Sequence, residues 1–188
     1  MDARALAGKD HVMSVEQVRQ WARDHADDGA VTPNYGGDVR VTIEILNNAL
    51  AAEIVCVLRY KFHYVAACGM ASDAVKNEFR EHAREEQEHA DRIAKRITEL
   101  GGRPEMNPGT VAARSATEYR EGENLVEMIT EDLVAERIAI ESYRGWIRFL
   151  GSHDPTTRRL LEDILATEEE HANDMRDLLI VHQGTAYT

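Results

Sequence analysis

The chain has 188 residues, of which 43% are hydrophobic and 30% charged, with only 4 prolines and 12 glycines. This balance is typical of one folded helical domain and argues against intrinsic disorder. The formal net charge of −12 at pH 7 argues against a general nucleic-acid binder, which needs a basic surface. It suits a protein that attracts cations, although solubility alone would also explain it.

Membrane spans and export signals are not expected. No uninterrupted apolar run reaches the roughly 18 residues that cross a bilayer. The N-terminal sequence MDARALAGKD lacks the charged and then apolar pattern of a signal peptide. We therefore expect a cytoplasmic protein with no membrane partner. Cys56 and Cys68 are too few for a disulfide scaffold, and we expect both to be small core residues.

Residues 1–37 are interpreted as an N-terminal extension with one short helix. Ser14 and Gln17 form a capping-box signature ahead of an amphipathic stretch from Val15 to His25. Turn-forming residues then interrupt the pattern, namely Asp27, Asp28, Gly29, Pro33, Asn34, Gly36 and Gly37.

Four long segments with helical periodicity follow. They run from about Val39 to Cys68, Asp73 to Leu100, Leu125 to Leu150 and Pro155 to Val181. The start signals are Ser72, Asn124 with Glu127, and Asp154 followed by Pro155. The stop signals are Gly69, Gly101, Gly151 and Gly184.

The lengths of the connections predict how these segments are arranged. About three to five residues join the first to the second and the third to the fourth, which forces two antiparallel hairpins. Roughly two dozen residues, Gly101 to Asn124, join the hairpins, enough to cross helices on the order of 40 Å long. The sequence therefore predicts an all-α four-helix bundle in residues 38–183, with a short tail over residues 184–188.

The first helices of the two predicted hairpins resemble each other. One reads LAAEIVCVLRYK around Glu53 and the other LVAERIAIESYR around Glu136, so that Tyr60 aligns with Tyr143. Both glutamates lie among apolar residues. An ionised carboxylate that faces a core costs several kcal/mol unless something compensates its charge.

Each second helix carries a Glu-x-x-His motif, Glu86 with His89 and Glu168 with His171. Residues three apart on a helix share a face, so each motif aims a carboxylate and an imidazole at one point. A single copy occurs by chance in an acidic helix, but two copies, 33 and 32 residues after the glutamates of the first helices, indicate a site.

Four converging carboxylates would repel one another unless divalent cations lay between them. Glutamate oxygens and histidine nitrogens suit iron or manganese, and this pattern is that of the dinuclear carboxylate bundles. The expected metal ligands are Glu53, Glu86, His89, Glu136, Glu168 and His171.

Over about residues 40–182, these motifs resemble those of the bacterioferritins and of the Dps-like mini-ferritins with a bacterioferritin-type centre. The resemblance implies a ferritin-like fold and a ferroxidase that oxidises Fe(II) with hydrogen peroxide or dioxygen. It implies two irons per subunit, with manganese or zinc as substitutes, in an oligomeric shell that stores iron. It implies terminal ligands Glu53 and Glu136, bridging ligands Glu86 and Glu168, and one metal on each of His89 and His171.

Tyr60, seven residues after Glu53, matches a tyrosine near the bacterioferritin centre. It would hydrogen-bond a ligand or donate an electron, although core packing explains it equally well. His82 shares a stripe with Glu86 and His89. With Glu78 and Glu85 it would form an accessory iron site, or it is an ordinary partly buried histidine.

Two departures from the bacterioferritins shape the remaining expectations. Gln87 stands where they carry a haem-binding methionine, so haem is not expected. Only HQGTAYT follows Val181, too short for their fifth helix, which favours a 12-subunit shell over a 24-subunit one.

Two other functions remain open at this stage. One is a dinuclear iron or manganese enzyme without storage, such as a rubrerythrin-like peroxidase or a manganese catalase. The other is a DNA-coating shell, but acidic residues outnumber basic ones over residues 1–30, so no nucleic-acid partner is expected.

Overall fold

A computed structural model describes residues 13–69 and 72–184 of the chain. Within these ranges there are six helices: α1 (Val15–Asp24), α2 (Val39–Ala66), α3 (Asp73–Glu99), α4 (Pro108–Arg114), α5 (Leu125–Leu150) and α6 (Pro155–Gln183). The first 12 residues of the expected extension and the last four of the expected tail lie outside the described ranges.

Helices α2, α3, α5 and α6 form the predicted four-helix bundle. Helix α2 packs along α3, and α5 packs along α6, so each short connection closes a hairpin. The caps that the sequence predicts are present: Ser72 accepts the Val75 N–H, and Asp154 accepts the Thr157 N–H.

Helix α2 ends at Ala66 rather than at Cys68. Residues 67–69 form a turn in which Gly69 has φ +80°, a conformation that glycine adopts without strain. Cys68 lies in this turn and is exposed, so the expectation that it is a core residue was wrong, whereas Cys56 is buried on α2 as expected.

The apolar core of the bundle divides into two clusters. One contains Leu50, Ile93 and Tyr143, and the other contains Tyr60, Phe79 and Met175. On α2 and α3, the predicted metal ligands lie between these two clusters. The packing therefore leaves the middle of the bundle to polar side chains.

The crossover from α3 to α5 contains a helix that the sequence analysis did not predict. Asn107 caps α4 and Pro108 occupies its first turn, both of which favour a helix start. Val111 of α4 packs on Ala51 and Val55 of α2. At seven residues, α4 is too short to show a clear period in the sequence.

A buried charged cluster holds the end of the crossover against the bundle. The Arg59 guanidinium donates to Asp132 Oδ1 at 2.8 Å and to the Glu118 carbonyl at 3.0 Å. The His63 ring lies 2.7 Å from Asp132 Oδ2 and 2.9 Å from the Glu121 carbonyl. The side chains of Arg59, His63 and Asp132 are fully buried, so the cluster joins α2, α5 and the crossover inside the protein.

The end of the extension docks on the bundle through Tyr35. Its hydroxyl lies 3.0 Å from Thr42 Oγ1 and 2.9 Å from the buried Asp154 carboxylate, which also accepts from Arg96. By contrast, α1 has no buried residue and packs against none of the other described helices.

By length and composition alone, α2 would be able to cross a membrane, because an 18-residue window has a mean hydropathy of 1.7. In the fold, 61% of this window is buried inside the protein. Its apolar face packs on the other helices of the bundle, which makes α2 a core helix rather than a membrane span.

Candidate metal centre

The six residues that the sequence predicted as ligands meet in the middle of the bundle. One comes from α2, two from α3, one from α5 and two from α6. Each is at most 4% exposed. Six ionisable side chains are therefore held together in a dry interior, where each uncompensated charge is costly.

The six side chains form two overlapping groups with the geometry of metal sites. In each group the ligand atoms all lie within 4.8 Å of one another. The first group contains Glu53, Glu86, His89 and Glu168, and the second contains Glu86, Glu136, Glu168 and His171. Glu86 and Glu168 belong to both groups, so each of them would be available to two metals.

Each histidine presents Nδ1 to three carboxylates. His89 Nδ1 lies 3.0 Å from Glu168, 3.2 Å from Glu53 and 3.7 Å from Glu86. His171 Nδ1 lies between 3.4 and 4.0 Å from Glu86, Glu168 and Glu136. Each imidazole therefore completes one of the two groups.

Several ligand atoms at this centre are buried without a hydrogen-bond partner. They are Glu86 Oε1, Glu136 Oε2, both carboxylate oxygens of Glu168, and His171 Nδ1. A buried polar atom left unpaired costs about 1–3 kcal/mol. Carboxylate oxygens and imidazole nitrogens gathered in this way suit a pair of divalent cations once the imidazoles lose their protons, so these residues fit a dinuclear metal centre.

Burial and mutual repulsion set the protonation of the carboxylates. Burial, reinforced by Glu86, raises the pKa of Glu53 to about 8. Burial and three neighbouring carboxylates raise the pKa of Glu168 well above its usual value. Burial would also raise the pKa of Glu86, but the neighbouring His171 and His89 lower it well below the usual range. Burial and Glu86 also raise the pKa of Glu136, so Glu86 is the one of the four carboxylates whose pKa is lowered.

The two histidines hold protons in the absence of metal. Burial would lower the pKa of His89, but Glu53 and Glu86 raise it to about 10. Burial acts in the same way on His171, whereas Glu86 and Glu136 raise its pKa to about 9. Metal binding must displace these protons from Nδ1, so affinity for metal rises with pH.

A family model described as a ferritin-like domain matches residues 43–181. The chain belongs to the ferritin-like family. The bacterioferritin of Rhodobacter capsulatus is 31% identical over 73% of this chain and 81% of its own length. The "DNA protection during starvation protein" of Pyrococcus furiosus is 31% identical over 77% of this chain and 80% of its own length.

A solved structure gives the same relationship at the level of the fold. It is a dodecameric thioferritin, the bacterioferritin-related protein from Bacteroides fragilis, with a TM-score of 0.71. Its sequence is 34% identical, and the match covers 78% of this chain and 88% of that one. The predicted resemblance and the predicted ferritin-like fold are confirmed.

Two tyrosines form hydrogen bonds between the two hairpins of this ferritin-like chain. Tyr60 of α2 donates to Glu136 Oε1 of α5 at 2.6 Å, and Tyr143 of α5 donates to Glu53 Oε1 of α2. Tyr60 was predicted from the sequence to lie near the centre, whereas Tyr143 was not. The internal repeat, which aligns the two, was the signal that would have found it.

Further contacts surround the second group of the centre. His171 Nε2 lies 2.8 Å from Glu85 Oε2, a contact that orients the imidazole. From the sequence, Glu85 was instead predicted to form an accessory site with His82 and Glu78. In the structure Asp174 occupies that place, and Glu78, His82 and Asp174 form a third group of potential ligands. Asp174, three residues after His171 on the same helix face, was not singled out.

Gln87 is exposed on the outer face of α3, where its amide donates to Asp91 at 3.0 Å. This contact is local to α3 and does not test whether the protein binds haem. The expectation that haem is absent stays a prediction.

Proposed function

We propose that this protein is a ferroxidase that oxidises Fe(II) at the six-residue centre and stores the product inside a shell of identical subunits. One observation carries the proposal: Glu86 and Glu168 belong to both of two buried groups of ligand atoms. Membership of the ferritin-like family supports iron storage as the general function.

Fe(II) is the substrate, and the residues supply its binding sites. Glu53 and His89 would hold one ion, Glu136 and His171 the other, with Glu86 and Glu168 shared between them. Two Fe(II) ions provide two electrons. With two protons these reduce one hydrogen peroxide to two waters, and dioxygen is the other oxidant to be tested. The carboxylates stabilise the charge that develops as Fe(III) forms.

The comparison with a solved structure supports the size that we propose for the shell. A related chain forms a dodecamer. We therefore propose a shell of 12 subunits rather than 24. We also propose that iron is the native metal, that hydrogen peroxide or dioxygen is the oxidant, and that the protein is cytoplasmic.

The decisive experiment combines native mass with an iron count. Metal-free protein is loaded with Fe(II) under anaerobic conditions, exposed to peroxide or air, and then sized. A shell of roughly 250 kDa that holds hundreds of irons would establish the proposal. A small oligomer that retains only two metals per chain would exclude storage and favour a dinuclear peroxidase or catalase.

A further inference from the structure

Glu78 and His82 of α3 meet Asp174 of α6 at a position where both carboxylates reach solvent. Their potential ligand atoms lie within 4.8 Å of one another. The His82 ring is 2% exposed, whereas the two carboxylate side chains are each 42% exposed. The cluster therefore has a buried nitrogen at its base and carboxylates at its mouth.

The distances within this cluster suit a cation better than hydrogen bonds. His82 Nε2 lies 3.5 Å from Glu78 Oε1 and 3.6 Å from Asp174 Oδ2. Both separations are long for an N–H···O hydrogen bond. A divalent cation about 2.1 Å from each ligand atom would hold them at nearly this spacing.

The hydrogen bond made by the other ring nitrogen, Nδ1, determines the tautomer of His82. Tyr60 has one hydroxyl proton, which it donates to Glu136 at 2.6 Å. Its oxygen must then accept from His82 Nδ1, 3.2 Å away. In a neutral imidazole this leaves the lone pair on Nε2, the atom that faces Glu78 and Asp174, as metal ligation requires.

The internal repeat shows that this cluster is not a by-product of the duplicated ligand motif. Aligning His89 with His171 pairs His82 with Ile164, Glu78 with Leu160 and Asp174 with Arg92. The equivalent positions on the other side of the centre are therefore apolar or basic. Only one side of the centre has this cluster, among the residues that the structure describes.

We propose that Glu78, His82 and Asp174 form a third metal site, which binds a divalent cation at the mouth of the bundle and passes Fe(II) to the half of the centre that contains His171. The rings of His82 and His171 stack with centroids 3.9 Å apart, so the two sites are neighbours. Glu85, which contacts His171 Nε2, lies on the same side. The delivery role rests on the proposed ferroxidase function, whereas the binding site does not.

Cobalt(II) binding tests the site without any oxidation. The double variant E78Q/D174N removes both carboxylate charges and leaves the six central ligands in place. The control E81Q removes an exposed carboxylate one turn from Glu78, which pairs with Arg84 and is outside the cluster. Equilibrium dialysis under anaerobic conditions then counts bound Co(II) per chain for each protein.

We expect E78Q/D174N to bind about one Co(II) per chain fewer than the wild type, and E81Q to bind the wild-type number. Co(II)-soaked crystals of the wild type should show an anomalous peak beside His82 Nε2. Equal stoichiometry in all three proteins, or a third ion located elsewhere, would overturn the site. Normal Co(II) binding by a wild type that fails to oxidise iron would instead overturn the ferroxidase proposal alone.

Stopped-flow oxidation at two Fe(II) per chain tests delivery. Loss of two charges at the mouth should slow the first turnover of E78Q/D174N by about tenfold, while E81Q changes it by less than about twofold. An unchanged rate in a double variant that has lost its third Co(II) would overturn the delivery role.

Discussion

The hydroxyls of Tyr60 and Tyr143 each bind the central glutamate of the opposite hairpin. Each ring packs in one of the two apolar clusters, while its oxygen faces the centre. Burial, together with the nearby glutamates, raises the pKa of both phenols well above the usual value, so both remain protonated donors. The pair therefore positions Glu136 and Glu53.

We expect Tyr143→Phe to destabilise the metal-free protein by about 1–2 kcal/mol, because Glu53 loses its donor while buried. The initial rate of iron oxidation should also fall, since Glu53 is no longer held. Thermal unfolding and stopped-flow absorbance measure the two effects. Tyr35→Phe, which removes a hydroxyl far from the centre, is the control. A normal rate in Tyr143→Phe would show that the hydroxyl does not position Glu53.

Glu86 and Glu168 occupy the shared positions of the centre. We expect Glu86→Ala and Glu168→Ala each to abolish rapid Fe(II) oxidation while the shell remains assembled, because no interface needs a fully buried carboxylate. Absorbance of Fe(III) and native mass give the two readouts. Glu88→Ala, an exposed carboxylate on α3, should oxidise iron normally. Wild-type rates in both bridging variants would show that the centre is assigned wrongly.

The pKa values at the centre predict that the metal-free protein loses stability as the pH rises. The pKa of Glu53 is raised from 4.5 to about 8, and those of His89 and His171 from 6.5 to about 10 and 9. A group with a raised folded pKa contributes its full stability below the unfolded pKa and loses it as the pH rises through the folded pKa. Glu86 acts in the opposite sense, but only below its usual pKa of 4.5.

The thermal midpoint of the metal-free protein should therefore fall as the pH rises from about 4.5, where Glu53 begins to lose its contribution, to about 10, where His89 has lost its own. The metal-loaded protein serves as the control, because its ligands are already deprotonated and its affinity for metal rises with pH. Its midpoint should fall less over the same interval. Parallel curves for the two forms would show that the centre does not govern this pH dependence.

At the level of the elements, side chains of α2 form hydrogen bonds with both ends of the crossover. Asn47 accepts the Glu105 N–H at 2.9 Å and donates to the Arg103 carbonyl at 3.3 Å. Arg59 and His63 bind the carbonyls of Glu118 and Glu121 near its far end. The crossover is thus part of the bundle, not a loose loop.

We expect Asp132→Ala to cost about 3–5 kcal/mol, because it leaves the Arg59 guanidinium buried without its carboxylate. The change would appear as a lower thermal midpoint and as faster proteolysis in residues 115–124. Glu141→Ala, on the same helix, removes only an exposed pair with Arg144 and should lower the stability far less than Asp132→Ala does. Equal losses in the two variants would contradict a structural role for the buried pair.

For the whole molecule, charge decides which partners a shell would attract. Residues 1–30 carry Arg4, Lys9, Arg19 and Arg23 against Asp2, Asp10, Glu16, Asp24, Asp27 and Asp28. The charged residues before position 13 lie outside the described ranges. Phosphate should repel such an extension.

We expect no DNA binding at physiological salt, although one relative is named for DNA protection. A gel shift with linear duplex DNA and protein at low micromolar concentration measures this. Replacing Asp24, Asp27 and Asp28 by lysine supplies a positive control, since it reverses the charge of the segment. A shifted band with the wild-type protein would contradict the prediction.

The sequence by itself determined the bundle and the six central residues. Their positions follow from short-range rules: caps and glycines at helix ends, a 3.6-residue period, and Glu-x-x-His on one helix face. The repeat between the hairpins then implied that the two halves meet, because neither half can neutralise its buried glutamate alone. Helix signals and the internal repeat are features that can be recognised in the sequence before the fold is known.

The tertiary structure decided what depends on long-range contacts. Asp132 looks like any helical aspartate until the fold brings it against Arg59, 73 residues away. Asp174 becomes a partner of His82 only when α3 and α6 pack together. The exposure of Cys68 depends on where α2 ends, and the helical state of α4 on its packing against α2. Packing between distant segments has no local period, so these features required the fold.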